Sequence, residues 1–139
     1  MSVLSDSDIL KYLERGELVA GGVGADVGSN AYQFRPGQIL PAGAAQGQPI
    51  RDWTNPRPSD EFVAAPGGMF WVRTSHEVCL PSDICAFWWQ TNSLSKRGIM
   101  LVNMSMVEPG YHGPLACLFV NFGASPVSIR PTTVVAQIL

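Results

Sequence analysis

Charge is scarce in this sequence. Only 14% of its 139 residues are charged, against about a quarter in typical soluble domains, while 46% are hydrophobic. A net charge of −2, with no block of basic residues, excludes a surface built to bind a nucleic-acid duplex. So little charge also favours association with further copies of the chain, although a neutral monomer would have the same composition.

Cysteine is also rare. Cys79, Cys85 and Cys117 form no CxxC pair, and an odd number of cysteines without an export signal is typical of reduced thiols in the cytoplasm. The N-terminus is polar and acidic, unlike a signal peptide. Because glycine and proline interrupt the apolar segments, we expect no membrane-spanning segment.

The glycine-rich stretch 20–31 lacks the context of a dinucleotide site. Its spacing does not match GxGxxG, and no helical pattern follows it. Asp26, which lies among small residues there, is better interpreted as a carboxylate in a turn or at a strand end. A dinucleotide-binding fold is therefore not expected.

The N-terminal residues predict a short helix. Ser5 is a good N-cap, and Asp8 occupies the third helical position, as in a capping box. Ile9 and Leu13 form a short apolar stripe, and Gly16 suits the C-terminal end. We expect a docked helical arm within residues 1–18.

The second half of the chain predicts short strands separated by turns every eight to twelve residues, which is typical of a sandwich or barrel. Trp88 and Trp89 should face opposite sides of one strand. Residues 41–60 predict a long irregular loop. The length favours one domain, 1–139. The expected strand segments are 70–74, 77–80, 84–89, 99–107, 115–121, 127–130 and 134–139.

Polar groups concentrate between Asn92 and Gly113. The stretch opens with small polar and basic residues, continues as the apolar run 99–107, and closes on the turn Glu-Pro-Gly-Tyr-His-Gly. Hydroxyls and cations at one end and a carboxylate at the other are the layout of a phosphate-and-sugar site on a β scaffold.

Five segments in order resemble the dCTP deaminase and dUTPase superfamily, and its deaminase branch in particular. Two of them are Asn-Ser-Leu-Ser-Lys-Arg-Gly at 92–98, similar to S-S-L-x-R-x-G, and Val-Glu-Pro-Gly-Tyr-His-Gly at 107–113, similar to I-D-P-G-[FYW]-x-G. The others are 4–9, 74–81 and the C-terminal segments around Asn121, 129–131 and 136–138. The resemblance implies an all-β, distorted jelly-roll or β-barrel-like fold with a short N-terminal helix. It also implies a homotrimer with nucleotide sites shared between neighbouring subunits.

The residues that carry deamination in this family are altered here. Family deaminases use no zinc or other cofactor, and a glutamate on the strand after the Pro-Gly turn activates the attacking water. That position falls on Leu118, and no acid lies nearby in the sequence. The motif's first serine is Asn92 and its arginine is Lys96, a point cation without the planar fork of arginine. Arg97 is one residue away, although adjacent residues need not face the same way.

Zinc-dependent deamination and dUTPase-like hydrolysis each require residues that can be sought in the sequence. A zinc deaminase needs H-x-E and P-C-x-x-C; His76 directly precedes Glu77, and Cys79 and Cys85 are six apart, so zinc is not expected. The resemblance to dUTPases implies an acid in the turn, Mg²⁺ on the triphosphate and a Gly-rich C-terminal arm. Glu108 takes the acid's place, one methylene longer than aspartate, and the sequence given has no such arm after Leu139.

Glu108 is thus the candidate catalytic residue, and no metal ligands are expected. Each candidate also has a structural interpretation: Ser93 as a helix cap, Lys96 and Arg97 as a solvated pair, and Glu108 as a turn residue. Tyr111 could pack the sugar or the core. The candidate nucleotide- and phosphate-binding residues are Asn92, Ser93, Lys96, Arg97, Tyr111 and Gln137.

The sequence therefore predicts a cytoplasmic dCTP deaminase-like protein that binds or acts on pyrimidine deoxynucleoside triphosphates, with lost or altered deaminase activity. Two alternatives stay open: a catalytically inactive trimeric structural or interaction module, and a dUTPase-like diphosphatase that uses Glu108.

Overall fold

The computed structural model describes residues 3–28, 30–43 and 48–138. Two α-helices, α1 (Asp6–Glu14) and α2 (Asn92–Lys96), accompany thirteen strands in this part of the chain. The strands are β1 (Leu18–Ala20), β2 (Val27–Gly28), β3 (Ala31–Phe34), β4 (Pro36–Pro41), β5 (Arg51–Asp52), β6 (Phe62–Ala64), β7 (Met69–Cys79), β8 (Ala86–Gln90), β9 (Ile99–Leu101), β10 (Ser105–Val107), β11 (His112–Asn121), β12 (Val127–Ile129) and β13 (Ala136–Ile138).

The strands form two main antiparallel sheets, which confirms the predicted all-β fold. Sheet A has the order β5-β4-β7-β11-β9, with β1 also paired to β7, and sheet B has the order β10-β8-β13-β3-β2. Strands β6 and β12 form a separate pair. Buried side chains of both sheets join one core, where the rings of Phe70 and Phe119 stack with their centroids 5.7 Å apart.

Helix α1 begins as predicted. The Asp8 amide donates to Ser5 Oγ at 3.2 Å, and the Ser5 amide donates to Asp8 Oδ2 at 3.4 Å, so both halves of the capping box are present. Ile9 is buried and Gly16 has a φ of 75° just after the helix. At nine residues α1 is the longer helix, and no helix in the described ranges is long and apolar enough to cross a membrane.

Asp26 lies in a single turn of 3-10 helix directly before β2, as the sequence indicated. Its carboxylate is buried and forms an ion pair with Arg35, which lies between β3 and β4. The neighbouring Tyr32 hydroxyl accepts the Val23 amide at 3.2 Å and lies 3.0 Å from His76 Nδ1. Burial, chiefly, raises the pKa of Tyr32 above its ordinary value.

Two segment bounds predicted from the sequence differ from those in the structure. The segments 70–74 and 77–80 belong largely to one eleven-residue strand, β7, whose register shifts against β4 between Pro36 and Gln38 and against β11 between Pro114 and Ala116. The predicted loop 41–60 contains β5 and the buried Trp53, whose amide donates to the Gly37 carbonyl at 2.8 Å. Residues 44–47 of that loop lie outside the described residues.

The apolar run 99–107, predicted as one segment, is divided between the sheets. Strand β9 is an edge of sheet A and β10 an edge of sheet B. Between them the Asn103 side chain pairs with β11, donating to the Ala116 carbonyl and accepting the Leu118 amide, each at 2.9 Å. A side-chain amide thus continues the pairing of β9 while the backbone crosses to the other sheet.

Candidate functional site

The turn between β10 and β11 carries the candidate acid, Glu108. The Tyr111 amide donates to the Glu108 carbonyl at 3.1 Å, and Gly110 adopts a φ of 80° that favours glycine. Two further bonds hold the turn against the segment after β7: the Gly110 amide to the Pro81 carbonyl at 3.1 Å, and the Leu80 amide to the Tyr111 carbonyl at 2.9 Å. The C-terminal part of the turn is therefore anchored to the segment after β7.

A cavity of about 570 Å³ opens beside this turn. Glu108, Tyr111 and Ser105 line it together with Trp88, Leu115 and Ala116, and Glu108 is its one charged lining residue. The Tyr111 hydroxyl donates to the Pro114 carbonyl at 2.7 Å, which fixes the ring over the turn. The lining suits an uncharged, partly apolar group whose hydroxyl can donate a hydrogen bond to the Glu108 carboxylate.

The second group of candidates lies on α2. The helix is capped by Thr91, whose hydroxyl donates instead to the Val134 carbonyl at 3.1 Å. The alternative that Ser93 caps the helix is wrong, since Ser93 is its second residue. Asn92 and Ser93 are both exposed, so their amide and hydroxyl groups are open to a ligand.

The two adjacent cations at the end of α2 differ in their contacts. Arg97 Nη1 donates to the Ser128 carbonyl at 3.3 Å and so ties α2 to β12. Lys96 is exposed and is the last residue of the helix. Lys96 is therefore the better candidate for a phosphate, and Arg97 has a structural contact.

The two motif glycines, Gly98 and Gly110, both have positive φ angles, but they should differ in how much stability a side chain would remove. Gly98 and Gly110 have φ of 88° and 80°, but a Cβ on Gly98 would lie 2.9 Å from the Gly123 nitrogen, whereas a Cβ on Gly110 would meet nothing within 4 Å. We expect Gly98→Ala to lower the free energy of unfolding by about 3 kcal/mol and Gly110→Ala by about 1 kcal/mol, measured by urea denaturation. Equal losses would show that the close approach of Gly98 does not matter.

The candidates do not come together within one chain. Strands β8 and β10 pair with Val107 opposite Ala86, so Glu108 lies beside the start of β8, whereas α2 follows its end. With a rise of about 3.3 Å per residue, this places Glu108 and Asn92 roughly 20 Å apart. Gln137 on β13 is half-buried and pairs with Trp89, so it lies near the end of β8 that leads into α2.

Leu118 lies on the outer face of sheet A. The pairings place Trp71 beside Leu118, and Met69 and Met100 on either side of Val120. Met69 and Met100 are 47% and 49% exposed, unusually high for large apolar side chains. We call Met69, Trp71, Met100, Val102, Leu118 and Val120 the outer apolar face.

The sequence analysis missed Asn103 and this face. The signal was present: apolar residues alternate at 100, 102, 104 and 106 while Ile99 and Leu101 are also apolar, so β9 is apolar on both sides. That pattern is typical of a strand covered on both faces.

The tryptophans and cysteines differ in how deeply they are buried. Trp88 is buried and Trp89 is 38% exposed, as their alternation predicted. Cys117 is buried, and burial raises the pKa of its thiol, while Cys79 is half-buried and Cys85 exposed. No group of three or more metal-type side chains occurs within residues 3–28, 30–43 and 48–138.

Comparison with known proteins identifies the relatives of this arrangement. Residues 3–139 match the family model described as dCTP deaminase-like. A dCTP deaminase of Halorubrum lacusprofundi is 26% identical over 99% of this chain and 75% of its own length. A dUMP-forming dCTP deaminase of Methanosphaera stadtmanae is 28% identical over 100% of this chain and 78% of its own length.

Solved structures agree on the fold. The dCTP deaminase of Agrobacterium tumefaciens superposes with a TM-score of 0.75 at 18% identity, covering 97% of this chain. This chain spans 46%, about half, of the length of that structure. A dUTPase of Staphylococcus bacteriophage 80alpha gives a TM-score of 0.50 at 14% identity, over 73% of this chain and 87% of its own.

Proposed function

The chain belongs to the dCTP deaminase-like family, and from that premise we propose that it binds a pyrimidine deoxynucleoside triphosphate without deaminating it. The binding sites lie between copies of the chain in a homotrimer, and the cytoplasm, in keeping with three free cysteines, is its location.

One observation carries the loss of deamination. Leu118, where the family resemblance calls for a glutamate, is half-buried on the outer apolar face, with Trp71 as its neighbour on β7. The Leu118 amide is bound by Asn103 and its carbonyl accepts the Val102 amide at 2.8 Å, so its backbone is fixed. A leucine cannot take a proton from water, and water alone is a poor nucleophile at neutral pH.

The distance between Glu108 and α2 supports a site shared between copies. Groups roughly 20 Å apart in one chain cannot contact the same sugar and phosphates, but they can when α2 of one copy approaches the Glu108 turn of the next. The outer apolar face supplies the surface that such an assembly would bury. Strand β9, which contributes Met100 to this face, is an edge strand of sheet A within the described part of the chain.

Within that shared site the residues divide by chemistry. Glu108 and Tyr111 hold the sugar and base in the cavity of about 570 Å³, which has no cation in its lining. Asn92, Ser93 and Lys96 of the adjoining copy bind the phosphates. Gln137 lies near them, and Arg97 holds α2 against β12. Mg²⁺, if required, enters with the triphosphate.

A second candidate is favoured by one observation. Glu108 is the one carboxylate that lines the cavity of about 570 Å³, so a dUTPase-like diphosphatase would use it to direct water towards a Mg²⁺-bound triphosphate. An inactive structural module is the remaining alternative, and it differs by binding no nucleotide.

Mixing two defective variants tests the shared site. We expect Lys96→Ala and Glu108→Ala each to abolish the rise in melting temperature produced by dCTP or dUTP. Co-refolded in equal amounts, they should recover about a quarter of the wild-type sites, because a site with both native groups forms where a Glu108→Ala copy supplies α2 to a Lys96→Ala copy. The readout is the nucleotide-binding stoichiometry by titration calorimetry.

The control is a refolded mixture of wild type with itself. No recovery in mixed assemblies, with wild-type binding intact, would place the site within one copy. No binding by the wild type would favour the structural module.

A further inference from the structure

A second cavity, of about 670 Å³, opens between α1 and the β8 side of sheet B. Core side chains reach into it, among them Ile9, Tyr32 and Ile138, which are at most 5% exposed. Phe87 and Trp89, both partly exposed, stand among its other lining residues. The cavity shares no lining residue with the one beside Glu108, so it is a separate feature of the molecule.

The shape of this cavity suits a small molecule better than a protein surface. Protein interfaces need broad contact, about 800 Å² on each partner, whereas this lining continues inward to residues of the core. Its volume falls in the range of about 300–1,000 Å³ that holds small ligands, and most of the lining is aliphatic or aromatic.

The charged and polar side chains of the lining indicate which class of ligand the cavity can hold. Asp83 is its one charged side chain, and it lies in the turn before β8 where it is exposed. The other polar groups in the lining are the thiol of Cys85, the indole N–H of Trp89 and the hydroxyls of Tyr12 and Tyr32. An anion would meet a carboxylate there, so nucleotides and fatty acids are disfavoured.

We propose that this cavity binds a small amphiphile that has an apolar body and one positively charged end. The apolar body lies against Ile9, Leu80 and Ile138, and the cation lies at the opening beside Asp83. The contribution of Asp83 is modest because the carboxylate is exposed, so burial of the apolar body provides most of the binding. This site is independent of the nucleotide site.

Three ligands with one chain and different ends test the proposal: decylamine, decanol and decanoate, titrated calorimetrically against the full chain. We expect decylamine and decanol to bind with one site per chain, decylamine about threefold more tightly, and decanoate more weakly than decanol. Asp83→Asn should make decylamine and decanol equal. Leu4→Trp, which fills the cavity, should weaken both by at least about tenfold, and Val63→Trp on the distant β6 should change neither.

Melting temperature is measured for each variant, and Ile84→Trp replaces Leu4→Trp if the latter unfolds. Binding unaffected by either filling variant, or decanoate as tight as decylamine, would overturn the site. A filling variant that changes the assembly mass would show instead that a second copy occupies the cavity, and this too would overturn it.

Discussion

Replacing Asn121 with alanine should cost the fold about 3 kcal/mol. Asn121 is fully buried, and its side chain makes three bonds to backbone: Nδ2 donates to the carbonyls of Ala64 and Ser125, each at 3.0 Å, and Oδ1 accepts the Gly123 amide at 2.9 Å. Alanine would leave the buried Ala64 carbonyl and the half-buried Gly123 amide without these partners, and a buried unpaired group costs about 1–3 kcal/mol.

Asn103→Ala is the matched comparison. Asn103 also bonds the backbone through both atoms of its amide, but it is only half-buried, so water can replace the lost partners. We expect a loss of about 1 kcal/mol there, measured by urea denaturation of both variants. If Asn103→Ala lowers the free energy of unfolding as much as Asn121→Ala does, burial does not determine how much these hydrogen bonds contribute.

Replacing Met100 with glutamate should dissociate the proposed trimer. Met100 is 49% exposed in one chain and lies on the outer apolar face beside Val120. An assembly that covers this face would bury a carboxylate in each copy without a partner, which costs several kcal/mol per copy. We expect assembly to weaken by at least about a hundredfold, and the light-scattering mass to fall to that of one chain at micromolar concentration.

Val63→Glu provides the control for that variant. Val63 is equally exposed, at 51%, but lies on the β6–β12 pair, away from the outer apolar face. It should leave the mass unchanged. A monomeric wild type, or a trimer that tolerates Met100→Glu, would exclude this face as the interface.

Local signals predicted the secondary structure where neighbours in sequence decide it. The capping box joins Ser5 to Asp8, only three positions further along the chain, and it is present. The run 99–107 was harder, because its alternation continues through Asn103 although the chain changes sheets there. Only the position of β11 shows that the Asn103 side chain replaces backbone pairing.

The candidate site was less predictable than the fold. Asn92 and Glu108 lie sixteen positions apart in sequence and looked like one cluster, but β8 separates them, and sequence distance does not show which strand lies between two turns. The role of Leu118 came from the resemblance alone. Its apolar surroundings, contributed by β7 and β9, became visible only with the pairing of the strands.

Incubation of the purified protein with dCTP, dUTP and dTTP in the presence of Mg²⁺ tests the central claim most directly, with ammonia and pyrophosphate release followed beside thermal shift. The structure predicts a saturable rise in melting temperature with dCTP or dUTP and no ammonia from dCTP, because Leu118 cannot act as a base. Pyrophosphate from dUTP without ammonia would favour the Glu108 diphosphatase. Ammonia released from dCTP in proportion to enzyme concentration would contradict the account.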